Sequence, residues 1–280
     1  MAKLTQSNSD NFLTWQKVNG GLALTRLQAR GIPGCFEGYN LGDITLKDTL
    51  SFGAGNTLRG LWWSSDGFDF YYTVSGSSLI TQKTVSTPFN INTVAATTTK
   101  DVSAQDTNPM DVKLSADGTK MYFLGTENEN VYQYSLSTAY NVSTASYDSK
   151  ALAYNGQTAS GTGFAISDDS IYLTGGATIY QYSWTPGDMA TAAFVRSLTI
   201  TGATFYTIFY RDQEKLYLSE TGSELVYELS MSGGSLLRAT ITDMATVATN
   251  PYGLFFDEGG FNMWILDGSD NINEYWVGCP

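Results

Sequence analysis

Apolar and polar residues alternate along short stretches of this chain, and a polar turn follows each stretch. The pattern is clearest in residues 109–136, which read PMDVKL, the turn SADGT, KMYFLG, the turn TENEN and VYQYSL. Alternation with a period of two is typical of half-buried strands, and Asp-Gly favours tight hairpins because glycine accepts a positive φ. The segment therefore predicts three consecutive antiparallel strands.

Five units of this kind follow one another, at residues 58–84, 109–136, 162–184, 205–230 and 251–276. Each has an aspartate at its first turn, and these are Asp66, Asp117, Asp168, Asp212 and Asp257, spaced by 44 to 51 residues. Aspartate is common in such turns because its side chain bonds to nearby backbone, so we interpret all five as structural. A repeat of this length is typical of a four-stranded propeller blade.

A fourth strand is predicted between consecutive units, at residues 94–102, 147–154, 195–201 and 237–244. No such strand follows the last unit, but residues 43–51, ahead of the first unit, have the same character and are predicted to complete the last blade. Closure of this kind removes free sheet edges. The sequence thus predicts an all-β fold, a single β-propeller of about five four-stranded blades over residues 39–280, closed by its N-terminal strand. A sixth blade would require the preceding segment to form a degenerate one.

A short N-terminal arm, residues 1–38, does not fit the repeat, and its apolar residues surround the pair Gly20-Gly21. They are Phe12, Leu13, Trp15, Val18, Leu22, Leu24 and Leu27. Two interpretations are open. The arm docks on a neighbouring protein, chiefly through Phe12, Leu13, Trp15, Leu22 and Leu24, or it packs against its own propeller and buries the same side chains.

Closure of the ring would bring the two cysteines, Cys35 and Cys279, close together. Cys279 follows the third strand of the last blade, and Cys35 lies a few residues before the strand predicted to pair with it. A disulfide between them would lock the ring, whereas two free thiols are expected in a reducing compartment. The sequence leaves both states open.

The composition argues against several classes of function. The chain of 280 residues has no histidine, 15 Lys and Arg, and a formal net charge of −12. Without histidine a Ser-His-Asp triad cannot form, two cysteines do not make a zinc site, and no cofactor-binding motif occurs. The acidic balance disfavours nucleic acid. We expect neither membrane insertion nor a cleaved leader, because no long apolar segment occurs in the sequence.

Carboxylates and aromatic residues bear on catalysis and binding. No motif marks a glycosidase pair among the 27 Asp and Glu residues. The oxygen-rich turns 126–130 and 267–271 lack the spacing of a calcium loop, and turn chemistry explains both, so we predict no metal site. The candidates for a sugar-stacking platform are Trp62, Trp63, Tyr71, Tyr72, Trp184, Tyr206, Tyr210, Trp264 and Trp276. Most lie on predicted strands, which favours packing between blades.

Residues 115–149, SADGTKMYFLGTENENVYQYSLSTAYNVSTASYDS, resemble a propeller repeat of tailed bacteriophages and marine bacteria. That repeat joins a Ser-x-Asp-Gly-x-x-Met-Tyr hairpin to a Val-Tyr-Gln-Tyr-x-Leu strand and a Val-Ser-Thr-Ala-Ser tail. The third unit keeps part of it in residues 179–183, and the fourth departs from it where Asp212-Gln213 replaces Asp-Gly.

The resemblance implies a non-catalytic structural or binding protein of a tailed-phage virion, in the tail or on the head surface, made in the host cytoplasm. Its arm would dock on other virion proteins, a host-surface glycan or receptor would be a second partner, and a homo-oligomer within the particle is compatible with this role. One alternative is a free-standing lectin-like propeller that binds glycans in several equivalent pockets. Another is a propeller glycoside hydrolase with a carboxylate pair in its central channel.

Overall fold

The computed structural model describes residues 13–18, 21–26, 44–53, 55, 57–212, 215–222, 224–231, 236, 239–247, 250–257 and 262–277. Within them the chain forms five four-stranded antiparallel sheets and one two-stranded hairpin. The hairpin consists of β1 (Leu13–Val18) and β2 (Gly21–Arg26). The five sheets are the blades of a β-propeller, so the predicted fold class and blade number are confirmed.

The blades follow the repeat units in order. Blade 1 contains β4 (Leu58–Trp63), β5 (Asp69–Val74), β6 (Leu79–Val85) and β7 (Val94–Asp101). Blade 2 contains β8 (Pro109–Leu114), β9 (Lys120–Gly125), β10 (Asn130–Leu136) and β11 (Ala145–Ala153). Blade 3 contains β12 (Gly163–Ile166), β13 (Ser170–Gly175), β14 (Thr178–Thr185) and β15 (Asp188–Thr199). Blade 4 contains β16 (Phe205–Asp212), β17 (Lys215–Glu220), β18 (Leu225–Met231) and β19 (Ala239–Thr246). Blade 5 contains β20 (Gly253–Phe256), β21 (Asn262–Leu266), β22 (Asn271–Val277) and, from the start of the chain, β3 (Ile44–Ser51).

Strand β3 closes the ring as the sequence predicts. It pairs antiparallel with β22, so that Ile44 lies opposite Val277 and Ser51 opposite Asn271. The first strands of the blades, β4, β8, β12, β16 and β20, each contact the first strands of both neighbouring blades. We call these five the inner strands, because together they surround the central channel.

The predicted fourth strands differ from the structure in their bounds, by one or two residues in blades 1 and 2 and by more in blade 3. The strand predicted at 195–201 is the end of β15, which begins at Asp188 because a tight turn at Pro186 and Gly187 joins it directly to β14. In blades 1 and 2 the same connection is longer and contains a short 3-10 helix, Ile91–Thr93 or Val142–Thr144. In blade 4, β19 extends to Thr246, two residues beyond the predicted end, and residues 237 and 238 lie outside the described residues.

The glutamine of the repeat joins neighbouring blades. Gln82 of blade 1 accepts a hydrogen bond from the backbone N–H of Val142 in blade 2, at 3.0 Å. Gln133, the glutamine of the Val-Tyr-Gln-Tyr motif, accepts one from the N–H of Met189 in blade 3, at 2.8 Å. Val142 and Met189 are fully buried. Burial of these backbone donors requires an acceptor, which explains why glutamine stands in a strand of otherwise apolar and aromatic residues.

Candidate functional site

A cavity of about 950 Å³ opens at one end of the central channel. It lies at the C-terminal ends of the inner strands, where the turns between the first and second strands of the blades meet. Residues from all five blades line it. A concave site of this size, shared between packed units, is the usual setting for a bound ligand.

Four of the five inner strands contribute a side chain to the cavity floor at equivalent positions, and the fifth equivalent, Ala165 of blade 3, is outside the cavity lining. The five equivalents, which we call the floor positions, each pair with an aromatic position on the second strand: Trp62 with Tyr71, Lys113 with Tyr122, Ala165 with Tyr172, Phe209 with Tyr217 and Phe255 with Trp264. The centroids of the Trp62 and Phe209 rings lie 6.3 Å apart across the axis. The Phe255 ring lies 5.2 Å from Trp62 and 5.5 Å from Phe209. Three aromatic rings therefore meet at the bottom of the cavity.

Lys113 is the only one of the five floor positions with a charged side chain. Its side chain is only 2% exposed, and its ammonium donates to Asp111 Oδ1 at 2.8 Å. Asp111 also accepts the backbone N–H of Val112 at 2.8 Å and that of Phe164, in the next blade, at 3.0 Å. Burial raises the pKa of Asp111, against the opposing effect of Lys113 and the two N–H groups. Lys113 Nζ also lies 5.5 Å from the centre of the Trp62 ring.

Glycines narrow the channel below the floor. A Cβ on Gly60 would lie 2.6 Å from Asp111 Oδ1, and a Cβ on Gly163 would lie 2.7 Å from Thr207 Cα. Glycine therefore allows adjacent inner strands to approach more closely than other residues would. Also on β4, the Arg59 guanidinium carbon lies 3.5 Å from the centre of the Tyr252 ring. We call the cavity, which lies at the C-terminal ends of the inner strands, the cup.

Three of the five turn aspartates, Asp117, Asp168 and Asp257, line the cup. Asp117 accepts hydrogen bonds from Ser115 Oγ at 2.6 Å and from the N–H of Thr119 at 3.0 Å, and these bonds lower its pKa. Asp66 bonds in the same way to Ser64 Oγ and the N–H of Phe68, as expected for a turn residue.

In blade 3 the corresponding bond from Ser167 Oγ goes to Asp169, and the predicted turn residue Asp168 lines the cavity instead. Asp257 also lines the cavity, whereas the side chain of Asp212 lies outside the described residues. Lys120 and Arg211 supply positive charge at the rim.

Blade 3 departs from the repeat beside the cavity. Phe89 and Tyr140 cover the first turns of blades 1 and 2, and both have positive φ, at 56° and 63°. Gly187 takes this place in blade 3, with φ at 78°, and it has no ring to cover the turn. The cavity extends into this region, where it is lined by Gly187, Trp184 and Tyr122. The Trp184 ring stands edge-on to Tyr122 at 5.8 Å, and its N–H donates to Ser167 O at 2.9 Å.

The aromatic candidates separate into different environments. Trp63, Tyr71, Tyr72 and Trp264 are buried between blades, as the sequence pattern favours. Trp62, Trp184 and Tyr210 are partly buried and line the cavity. Trp276 is 47% exposed on blade 5, away from the cavity lining. Sequence reasoning missed the importance of Lys113, Tyr122 and Phe209, because nothing in the linear pattern shows which strand positions share one layer of the ring.

The two oxygen-rich turns are explained by their own backbone bonds. Asp106 accepts the N–H of Asn128 at 2.9 Å, beside the turn 126–130. Asp267 Oδ1 accepts the N–H groups of Ser269 and Asn271, at 2.8 and 3.0 Å. Within the described ranges, no cluster of three or more His, Cys, Asp or Glu side chains is placed to hold a metal ion.

The predicted docking and disulfide residues are not described in atomic detail. Leu13, Trp15, Leu22 and Leu24 lie on the hairpin β1–β2, where Trp15 faces Leu24 in the backbone register, but their side chains are outside the described residues. Phe12, Cys35 and Cys279 are outside them as well. The docking role of the arm and the state of the cysteines remain predictions. In the portion of the chain that the structure covers, no helix is long and apolar enough to cross a membrane.

Comparison with known proteins places the chain in the class of β-propellers. No family model matches it, and no curated protein matches it in sequence. The glutaminyl cyclase of Myxococcus xanthus is similar in structure, with a TM-score of 0.57 and 13% identity over 84% of this chain and 96% of that one. The virginiamycin B lyase of Staphylococcus aureus gives a TM-score of 0.50 and 15% identity, over 84% of this chain and 100% of the lyase chain. A chain of the mitotic checkpoint complex gives 0.51 and 12%, over 90% of this chain and 100% of that one. At these identities the likeness shows the fold alone.

Proposed function

We propose that this protein is a non-catalytic binding module that holds a carbohydrate in the cavity at the mouth of its channel. The observation that carries the proposal is the floor, where the Trp62, Phe209 and Phe255 rings meet within 6.3 Å of one another. A sugar ring presents apolar C–H groups on its face and hydroxyl groups on its edge. Apolar walls with a few polar groups in fixed places are what such a ligand requires.

The rim supplies those polar groups. Asp117, Asp168 and Asp257 offer acceptors, and Lys120 and Arg211 offer donors, all on the cavity lining. The cavity volume of about 950 Å³ is within the range of ligand pockets. Because the floor positions differ from blade to blade, we propose one central site in place of several equivalent pockets.

The carboxylates of the cup support binding over hydrolysis. A general acid needs a raised pKa, whereas hydrogen bonds from Ser115 and Thr119 lower the pKa of Asp117. Asp111 does have a raised pKa, but Lys113 and two backbone N–H groups occupy its oxygens.

Calorimetric titration with a panel of neutral and acidic oligosaccharides tests the proposal, using Trp62→Leu as the site variant. We expect at least about a ten-fold loss of affinity, equivalent to roughly 1.4 kcal/mol, because the ring at the centre of the floor is lost. Trp276→Leu is the matched control, since Trp276 is 47% exposed and outside the cavity lining. If no member of the panel bound, the site assignment would fail, and cleavage of a bound sugar would contradict the non-catalytic role.

The repeat resemblance supports a proposal about where this module acts, namely in the virion of a tailed phage. There the arm, with Phe12, Leu13, Trp15, Leu22 and Leu24, would dock on other virion proteins, and the cavity would meet a host-surface glycan. Mass spectrometry of purified particles from the source culture tests this. We expect a stoichiometric component, and absence from the particles would reject the virion role while leaving the binding site untouched.

A further inference from the structure

One tyrosine in the wall of the cavity lacks the hydrogen-bond partner that its equivalents have. The aromatic position of the second strand is Tyr71, Tyr122, Tyr172 and Tyr217 in blades 1 to 4. Tyr71 donates to Tyr140 O in the next blade at 2.8 Å, Tyr217 donates to Glu228 Oε2 at 2.7 Å, and the Tyr172 hydroxyl interacts with the side chain of Ser170. Among the described residues, the hydroxyl of Tyr122 has no such partner.

The departure of blade 3 explains this difference. Tyr140 O, the acceptor used by Tyr71, corresponds to Gly187 O in blade 3. Gly187 O already accepts from Gln133 Nε2 at 2.9 Å. Tyr122 is only 3% exposed as a residue, but it lines the cavity and its hydroxyl is not among the fully buried polar atoms without a partner in the described residues, so the hydroxyl reaches the cavity surface. A ligand that supplies an acceptor would therefore complete its hydrogen bonding.

A second donor lies beside it. Lys113 is paired with Tyr122 across β8 and β9, so both side chains are on the same face of blade 2. The Lys113 ammonium has three N–H groups and, within the described part of the chain, one acceptor, Asp111. Burial raises the pKa of Tyr122 to about 12, so the hydroxyl remains protonated and able to donate at neutral pH.

We infer that Lys113 and Tyr122 bind the carboxylate of an acidic sugar, such as a uronate residue, in the part of the cavity between blades 2 and 3; this inference rests on the proposed carbohydrate function. The Lys113 ammonium can only donate hydrogen bonds, so the ligand group beside it must be an acceptor. Hydrogen bonds from an ammonium to a carboxylate are among the strongest in proteins. Trp184 packs edge-on against Tyr122 at 5.8 Å, and Gly187 leaves open the space that Phe89 and Tyr140 fill in blades 1 and 2.

The charge of the cavity is compatible with an anion although the chain is acidic. The lining contains Lys113, Lys120 and Arg211 against Asp117, Asp168 and Asp257, so its formal charge is zero, whereas that of the chain is −12. Beside the lining, Asp111 pairs with Lys113 at 2.8 Å and Asp148 pairs with Lys120 at 3.0 Å. The cavity therefore presents paired charges of both signs to a ligand.

The test compares oligogalacturonides and oligoglucuronides with their methyl esters, which share the same backbone but lack the negative charge. For the wild-type protein we expect the acid to bind at least ten-fold more tightly than the ester. Tyr122→Phe should lower the affinity for the acid by about ten-fold and leave the ester nearly unchanged. Tyr172→Phe is the matched control, because Tyr172 holds the same position in blade 3 and is outside the cavity lining.

Each outcome separates this inference from the function on which it rests. Equal binding of acid and ester, binding of neutral sugars alone, or an equal loss for both forms in Tyr122→Phe would overturn the inference and leave the carbohydrate site standing. No binding by any sugar would overturn both. If Tyr122→Phe fails to fold, the salt dependence of wild-type binding decides, since only the affinity for the acid should fall as ionic strength rises.

Discussion

Single residues decide whether the first turns of blades 1 and 2 can form. Gly118 has φ at +68°, and a Cβ there would lie 2.6 Å from the Tyr140 ring. Gly67 meets the Phe89 ring in the same way in blade 1. Glycine in the Asp-Gly turn is therefore required for two reasons, the positive φ and the ring that packs directly on its backbone. The sequence pattern indicates the first reason, but the second depends on a residue more than 20 positions later in the chain.

The substitution Gly118→Ala tests this double requirement, with Gly76→Ala as its control. Gly76 also has positive φ, at +76°, but a Cβ there would meet nothing within 4 Å. We expect Gly76→Ala to lower the free energy of unfolding by about 1–2 kcal/mol, the cost of a side chain in that backbone region. Gly118→Ala should lower it by roughly 1–3 kcal/mol more, because the Tyr140 ring must move. Urea denaturation measures both, and equal losses would show that the ring moves aside without cost.

At the scale of the element, the closing strand depends on residues that are far apart in the chain. Strand β3 completes a sheet whose other strands lie more than 200 residues later, and it pairs with β22 along its whole length. Without β3, blade 5 would have three strands and β22 would become a free edge. The closing strand is therefore expected to contribute strongly to the stability of the ring.

Two truncations separate the closing strand from the arm. Removal of residues 1–52 should lower the melting temperature by roughly 10 °C or more, or prevent folding, because a few kcal/mol of pairing and packing correspond to shifts of this size. Removal of residues 1–38 alone retains β3. An unchanged melting temperature in this shorter truncation would favour an arm that docks on a partner, whereas a lower one would favour packing on its own propeller. Equal stability of the two truncations would contradict the closure argument.

The strands themselves could be read from the sequence, whereas the site could not. Period-two alternation and Asp-Gly turns place the inner strands and their hairpins, because these signals are local. The floor positions cannot be aligned by counting from the turn aspartates, since Trp62 lies four residues before Asp66 but Phe255 only two before Asp257. The two turns are equally long, since Trp63 pairs with Phe70 and Phe256 pairs with Met263, so the two aspartates occupy different places within them. Only the pairing of each strand with its neighbour shows which residues face one another across the channel.

At the scale of the whole molecule, the ring places five related positions in one layer without making them equivalent. The floor positions are Trp62, Lys113, Ala165, Phe209 and Phe255. A propeller with five similar floor residues would have a symmetric channel, but here the rings lie in blades 1, 4 and 5, the charge lies in blade 2 and the smallest residue lies in blade 3. Four of these five differing positions line the cavity, so the departures from the repeat shape the site.

This asymmetry predicts the stoichiometry of binding. One central cavity lined by all five blades should bind one ligand per chain, whereas a lectin-like propeller with a pocket in each blade should bind about five. Calorimetric titration gives the ratio of ligand to protein chain directly. The ratio should be the same for a mono-, di- or trisaccharide, because each of them would occupy the one central cavity. A ratio near five, or one that falls as the oligosaccharide lengthens, would place the binding sites on the individual blades. Competition supports the measurement, since two different ligands that share one central cup must displace each other completely.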